Sequence, residues 1–305
     1  MSVTSKVSEL ATAVREIKSG MTVFVDGFGY NRTPVAAVHE IIRQGPRDLC
    51  IIGSSEIQAD MLIAAGCVSR IDNGWTGAEG WPHGSFSSYP MRRKMETGEL
   101  KVEYYTNLAI AYRLLGAAFG WSFVPFPGFQ GTDHFRLRGW KGEDKARMIK
   151  CPFTGEDIPV LPTLPLDVAV IHAQKADTQG NVMITGPLGY SREAAFAAKV
   201  TIVTCEEIVL PEYTHEHVDS VAIPGAFVDH VVQVPWGAYP TACIGYYDYD
   251  WNWIKYYFQQ STEESTNQKY FEEYVFGCPK WEDFLDKALT EARRNEIRAS
   301  STLGY

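Results

Sequence analysis

The sequence lacks the marks of several large protein classes. No C-x-x-C pair occurs, and the six cysteines (Cys50, Cys67, Cys151, Cys205, Cys243 and Cys278) stand at wide intervals, which excludes a zinc ribbon and a disulfide framework and leaves buried thiols. No apolar run reaches the roughly 18 to 20 residues that cross a bilayer, and Met1 to Lys18 is polar and of mixed charge, unlike a leader. A soluble, cytoplasmic protein is expected. An excess of positive charge is missing too: 37 acidic residues stand against 28 basic ones, a net charge of −9, the wrong sign for a surface that tracks phosphates. Nucleic acid is therefore not expected as a partner. Disorder is excluded because 45% of the 305 residues are hydrophobic and 21% charged, enough for a substantial core.

What the chain does have is alternation. Apolar strand-like runs follow helical patterns for most of its length, the signature of parallel strands joined by helical crossovers, so the fold class is α/β. A helix is expected over Val7 to Lys18 and a strand over Met21 to Val25. The loop from Asp26 to Pro34 follows, then a helix to Gln44 with Val35, Val38, Ile41 and Ile42 on one face. The plan repeats with a strand at Leu49 to Ile52, a loop at Gly53-Ser54-Ser55-Glu56 and a helix at Ala59 to Ala65. Further strands are read at Phe123 to Pro125, Val168 to Ala173, Thr201 to Cys205 and Val231 to Val234. Helices are read at Met91 to Gly98, Leu108 to Phe119 and Arg192 to Ala198. Asn73 to Tyr89 reads as irregular, and Phe135 to Pro165 as a charged, turn-rich excursion. Aromatic residues reach 13%, and their clustering at Tyr246 to Trp253 and Tyr256 to Phe258 suggests an interface or a pocket wall in a helical C-terminal part. One continuous domain over residues 1–305 fits the length.

Ligands of open parallel sheets collect beyond the carboxyl ends of the strands, so the strand-end loops are the places to look for chemistry. In Gly27-Phe28-Gly29 the third glycine of a dinucleotide fingerprint is replaced by Arg32, and no phosphate-loop Gly-Lys-Ser/Thr follows. Two readings stay open here: a tight strand-to-helix turn, or backbone N–H groups that bind an anion with Arg32 adding charge. In Ser54-Ser55-Glu56 a carboxylate could be desolvated into a base or nucleophile, or could belong to a helix cap. Gln130-Gly131-Thr132 offers an amide, a close-approach glycine and a hydroxyl, suited to a carboxylate or thioester carbonyl and equally to an ordinary turn. His215 and His217 lack an acidic or cysteine partner at metal spacing and read as a surface pair. His172 reads as a satisfied core histidine. No metal site is expected.

Several segments together carry a resemblance. They are Asp26-Gly27-Phe28-Gly29 with Arg32-x-Pro34, Glu40 to Gly45, Asp60 to Ile63, Gln130-Gly131, Asp167 to Gln174, Gly180-Asn181-Val182, Thr201 to Ile208, Pro224-Gly225 with Val228-Asp229, and Gly245 to Asp250. In this order, through most of the chain, they resemble the class I CoA-transferase family, and within it the A (alpha) subunits of the glutaconate CoA-transferase type. The resemblance implies an open, mainly parallel sheet with helices on both faces. It also implies a B subunit partner, in a heterodimer or heterotetramer, that shares the active site. In the family a B-chain glutamate attacks the acyl-CoA thioester, forms a glutamyl-CoA thioester and hands CoA to an acceptor carboxylate. The substrates implied are an acyl-CoA and a carboxylic acid of dicarboxylic type, with coenzyme A the only cofactor and the nucleophile expected on the partner.

The substrate-binding positions suggested are Gly27, Phe28, Gly29, Arg32, Ser54, Ser55, Asn107, Gln130 and Gly131. Family members carry a small glycine- and alanine-rich loop where this chain has Ser54-Ser55-Glu56, and Glu56 stands in a place topologically similar to the B-chain nucleophile, so it is the chain's own catalytic candidate. The Trp-rich stretch from Trp75 to Trp81 suggests a bulkier acyl group. Two other branches of the fold hydrolyse a carbocyclic ring or decarboxylate an acyl-CoA. The ring-opening branch needs an acid near Tyr104 to Asn107, where Asn107 is not one, which favours transfer. A non-catalytic assembly and substrate-binding role is the remaining alternative.

Overall fold

A computed structural model describes residues 5–55, 57–77, 88–139 and 141–299. Its centre is a run of seven parallel strands in the order β12-β10-β8-β1-β2-β3-β4. These are β1 (Thr22–Val25), β2 (Leu49–Ser55), β3 (Val68–Thr76), β4 (Lys101–Tyr104), β8 (Leu166–Asp177), β10 (Ala198–Val209) and β12 (His230–Gln233). The chain builds outward from β1 to β4, returns to β1's other side as β8, and builds outward again. The topological switch point, where ligands of such sheets bind, is therefore between β1 and β8.

Side chains alternate across the strands and divide the core in two. Val23, Val25, Ile51, Val168 and Val170 face one hydrophobic cluster; Phe24, Cys50, Ile52, Ala169 and Ile171 face the other. The first face is covered by α1 (Leu10–Val14), α2 (Val35–Gln44), α3 (Ile57–Ala64), α4 (Tyr89–Glu96) and the C-terminal helices. The second is covered by α5 (Asn107–Ala118), α7 (Ser191–Ala197) and a small antiparallel sheet of order β5-β7-β6. That sheet comprises β5 (Phe123–Pro125), β6 (Arg147–Lys150) and β7 (Asp157–Pro162), with α6 (Asp133–Arg136) between. The remaining elements are β9 (Val182–Met183), β11 (Val221–Ile223), α8 (Pro211–Glu216), α9 (Trp251–Gln260), α10 (Glu264–Phe271), α11 (Trp281–Ala288) and α12 (Glu291–Ile297).

β8 runs well past β1. Its pairing with β1 stops at Val25 and Val170, and beyond that point its far end pairs antiparallel with β9 at Lys175 and Ala176. The sheet thus forks at the switch point.

Four expectations change. The helix expected over Val7 to Lys18 shrinks to α1, because Ser8 N–H donates to Val231 O at 2.9 Å and the preceding residues bridge β12. Phe123 to Pro125 is a strand, but it pairs antiparallel with β7 outside the parallel sheet. The excursion contains β6 and β7, a hairpin whose β6, Arg-Met-Ile-Lys, is wholly exposed and too short to show an alternating pattern. The irregular reading from Asn73 fails for its first residues, since β3 extends through Thr76 with Asp72 ion-paired to Arg70 at 3.2 Å.

Part of the aromatic C-terminal layer packs against α2 and α3, while Tyr246 lines a surface cavity and Tyr249 is exposed. Tyr239, Tyr257 and Phe284 are buried, His39 of α2 lies between Trp281 and Phe284 at 5.3 and 4.8 Å, and Tyr257 OH donates to Asp60 of α3 at 2.5 Å. Of the six free cysteines five are buried and Cys151 is partly so. Among the described residues no helix is long and apolar enough to cross a membrane.

Candidate active site

The fork in the sheet is held open by polar groups. Asp26 follows β1 and is buried, as is Arg32, and the two form an ion pair at 2.9 Å. Arg32 Nη1 also donates to the carbonyl of His172 on β8 at 3.0 Å, and Nη2 donates to the carbonyl of Pro187 at 2.6 Å. Ser191 Oγ, at the start of α7, lies 2.9 Å from both carboxylate oxygens of Asp26. Burial pushes the Asp26 carboxyl above its ordinary range, while Arg32 and hydrogen bonds from Gly27 N–H and Ser191 oppose the shift. The guanidinium suggested by the sequence for a bound anion is thus used internally, as a strut joining β1, β8 and the loop before α7. This corrects the reading of Arg32 as a ligand group: fully buried, it has no open side.

The loop that Arg32 anchors is bent where side chains rarely bend. Tyr30 and Arg32 have φ of 56° and 55°, and Gly29 has φ of 63°. Conformations of this kind persist only where the surroundings over-determine them, and they gather at functional sites. Ala242 supplies the restraint, accepting from Arg32 N–H at 2.7 Å and donating its own N–H to Tyr30 O at 2.8 Å. Gly27 is required by close approach, because a Cβ there would lie 2.6 Å from Thr33 Oγ1 and 3.0 Å from Gln58 Nε2.

Behind the strut His172 is buried, with Nδ1 2.9 Å from Thr204 Oγ1 and Nε2 2.9 Å from Glu206 Oε1. Glu206 also accepts from Tyr247 OH at 2.6 Å and Trp236 N–H at 2.7 Å. Ligating atoms of His172, Glu206 and Cys243 lie within 4.8 Å of one another, but these hydrogen bonds already engage both imidazole nitrogens and both carboxylate oxygens. The His172 expectation of a satisfied core histidine is met in full. His215 and His217 are exposed on and just after α8.

In front of the strut the sequence's separate suggestions meet. Phe28, about one-third exposed, packs edge-on against Tyr190 at 6.2 Å. Tyr190 is buried, also meets Phe24 edge-on at 6.5 Å, and its OH donates to Asn107 Oδ1 at 2.5 Å. The Asn107 amide nitrogen has no partner among the described residues. Asn107 is the first residue of α5, whose N-cap Thr106 accepts from Ala109 N–H at 3.1 Å, so it sits at the positive end of a 12-residue helix. β3 passes directly beneath: a Cβ on Gly74 would lie 2.6 Å from Asn107 Cα and 2.7 Å from its backbone nitrogen. Ser54 and Ser55 close β2 beside Trp75 and Thr76 of β3.

Gln130 and Gly131 are exposed and follow β5 of the small sheet. Their link to the parallel strands is Phe129, stacked on Tyr105 at 6.3 Å just after β4. Glu56 and Trp81 lie outside the described residues. Sequence reasoning missed Asp26, Gly74, Tyr190 and Ser191. An aromatic between a glycine and a Ser-Arg-Glu helix start was the available signal for Tyr190.

The arrangement presents an aromatic side chain at Phe28 and an exposed amide at Asn107 side by side with Tyr190. Asp26, which directly follows β1, and Asp72 and Glu206, within β3 and β10, are all engaged internally.

Comparison with known proteins gives one consistent picture. Residues 7–234 match the family model described as Coenzyme A transferase. The chain is 35% identical over 314 residues to the A subunit of glutaconate CoA-transferase from Acidaminococcus fermentans, covering 99% of this chain and 97% of that one. It is 33% identical over 277 residues to the A subunit of 3-oxoadipate CoA-transferase from Pseudomonas knackmussii, covering 90% and 94%. An uncharacterized protein of Archaeoglobus fulgidus is 35% identical over 285 residues, and the match spans 62% of that protein's length. The crystal structure of glutaconate coenzyme A-transferase from A. fermentans superposes with a TM-score of 0.89 over 99% of this chain and 98% of that one.

Proposed function

The chain belongs to the coenzyme A transferase family, and from that premise we propose that it is the A subunit of a heteromeric, cytoplasmic CoA-transferase. It acts with a B subunit to move CoA between an acyl-CoA thioester and a carboxylic acid, of dicarboxylic type. The thioester is attacked by a glutamate of the B subunit. The acyl group passes to that glutamate as an anhydride with release of CoA thiolate, which then attacks the glutamyl carbonyl to give glutamyl-CoA and free acid. The acceptor carboxylate reverses the sequence.

The observation that carries this reading is the unequal equipment of the strand-end mouth. It offers binding groups, Phe28 and Asn107 set by Tyr190, while Asp26, the carboxylate on the same loop as Phe28, is committed to Arg32 and Ser191. A chain so built holds an acyl group and leaves the attack to another chain. Gly27 and Gly29 shape the turn, Asn107 donates to a thioester carbonyl or acyl carboxylate, and Ser54, Ser55, Gln130 and Gly131 complete the acyl pocket. Glu56 is the carboxylate of this chain to test beside the partner's.

The test is coexpression with the B subunit, incubation with acyl-CoA with and without acetate, and mass spectrometry of both chains. A CoA adduct on a B-subunit glutamate, trappable by borohydride, with exchange that requires acetate, is the expected result. Turnover without an acceptor and without an adduct would replace transfer by hydrolysis or decarboxylation. An adduct on Glu56 would move the nucleophile into this chain.

A further inference from the structure

α5 buries one side and leaves the other bare. Ala109, Ile110, Leu114 and Gly116 face the core, whereas Leu108, Tyr112 and Phe119, spaced by four and seven residues and so on one helical face, are 59%, 43% and 61% exposed. Tyr104 before the helix and Trp121 and Phe123 after it extend the row, at 43%, 51% and 48% exposed. The row is joined by contact: Phe119 stacks on Trp121 at 5.1 Å. No charge interrupts it on the helix. Arg113, the one charged residue of α5, points inward, with Nε donating to Pro162 O at 2.9 Å.

Half-exposed side chains of this size, each able to bury up to about 150–250 Å² when aromatic, present on the order of 600 Å² of apolar surface. That is the upper end of the largest patch on an ordinary monomer, and most of the roughly 800 Å² that each partner gives to a standard interface. Aromatic anchors without charge are the composition of an interface core rather than of its rim.

We propose that this face of α5 is the docking surface for the B subunit. The row begins at the mouth, since Leu108 follows Asn107, and it runs for the roughly 18 Å length of the helix. A body seated on it therefore overhangs Asn107 and Phe28, where the attacking glutamate has to arrive. β4, the edge strand of the parallel run, immediately precedes α5 and ends at Tyr104 of the row. The identity of the occupant rests on the proposed function; the existence of an occupant rests on the surface alone.

The experiment compares Leu108→Asp and Phe119→Asp with Leu210→Asp, which alters a still more exposed side chain (72%) after β10 on the far side of β1 from β4. Each is coexpressed with the B subunit and measured for complex affinity, thermal midpoint, self-association of the isolated chain and acetate-dependent CoA exchange. The two α5 variants should keep the thermal midpoint of the wild type and lose about 100-fold in affinity for the B subunit, as central anchors do, with Leu210→Asp unchanged. Wild-type affinity in both α5 variants overturns the proposal, as does a chain that pairs with its own copy through α5 while still binding the B subunit normally. The two readings fail separately. A wild-type complex that lacks exchange activity, yet is broken by the α5 variants, removes the function and keeps the docking face. Full exchange with intact α5-variant complexes does the reverse.

Discussion

Two buried regions of this molecule are built on opposite terms. At the fork of the sheet every contact has a direction: Arg32 reaches Asp26 and two backbone carbonyls, Ser191 reaches Asp26, and Glu206 takes hydrogen bonds from three groups. In the C-terminal layer contact is mostly area. His39 lies among Trp281 and Phe284 with neither ring nitrogen bonded, and Trp281 Nε1 is likewise unpaired among the described residues. The difference teaches where positional accuracy is needed. Directed hydrogen bonds set the course of the strand-end loop and aromatic packing sets a layer, although the loop too leaves the Asn31 amide, Arg32 Nε and Thr33 Oγ1 unpaired among the described residues.

The largest expected effect that would break this contrast is at Arg32. Arg32→Met leaves Asp26 buried without its cation and should cost about 3–5 kcal/mol in urea unfolding. His39→Phe, a similar volume without unpaired nitrogens, should stay within about 1.5 kcal/mol of the wild type or stabilise it. Equal losses in the two variants would erase the distinction. Next comes Gly74→Ala, whose methyl group meets the Asn107 backbone as well as its side-chain oxygen, so that rotating the side chain alone does not relieve the clash. It should cost about 1–3 kcal/mol and lower kcat/KM by displacing Asn107, and a fully active, fully stable variant would show that the mouth is less rigid than described.

The third test uses pH and sharpens the contrast from the other side. Burial holds His39 down at about 3 against an ordinary 6.5, with Arg43 adding to the shift, and pushes Asp60 up to about 6 against 3.8. Between 6.5 and 3 the unfolded chain binds the His39 proton and the folded one does not, so this group's stability falls with falling pH. Between 6 and 3.8 the folded chain holds the Asp60 proton that the unfolded chain has released, so stability rises with falling pH. The two oppose each other through that window. Asp60→Asn removes the offset, and the variant should lose about 1.4 kcal/mol per pH unit relative to wild type on acidification from 6 to 4. Parallel stability curves would mean that the two groups do not titrate as placed. The smallest effect belongs to Tyr190→Phe, which keeps both edge-on ring contacts and removes the hydrogen bond to Asn107. Stability should fall by about 1 kcal/mol, and kcat/KM about tenfold, through KM for the acyl-CoA. An unchanged KM would leave Tyr190 as packing alone.

Much of the parallel sheet was legible because buried strands are written as short apolar runs: Val168 to Ala173 and Thr201 to Cys205 announce β8 and β10. β3 escaped because Arg70, Asp72 and Asn73 make it look like a loop, and only the paired Arg70, Arg113 and Asp72 explain how a strand carries them. Which rings of the aromatic cluster are interior, such as Tyr257 and Phe258, and which are exposed, such as Tyr249, was not legible because composition does not tell which side of a ring is covered. At the mouth, Phe28 and Asn107 were each visible in sequence. Their meeting was not, since it depends on Tyr190, 83 residues from Asn107 in the chain. The role of Arg32 was legible only in part: Asp26 stands six residues away, whereas its two carbonyl acceptors lie 140 and 155 residues away.

The manner in which Arg32 is anchored has a consequence for how such a chain diversifies. Two of its acceptors are the carbonyls of His172 and Pro187, groups that every residue possesses, so substitution at either position leaves those acceptors in place. The frame that holds the mouth is therefore largely indifferent to mutation around it, while Phe28, partly in solvent on the anchored loop, is free to vary. A lineage built this way can retune which acid it accepts one side chain at a time, without renegotiating the fold beneath.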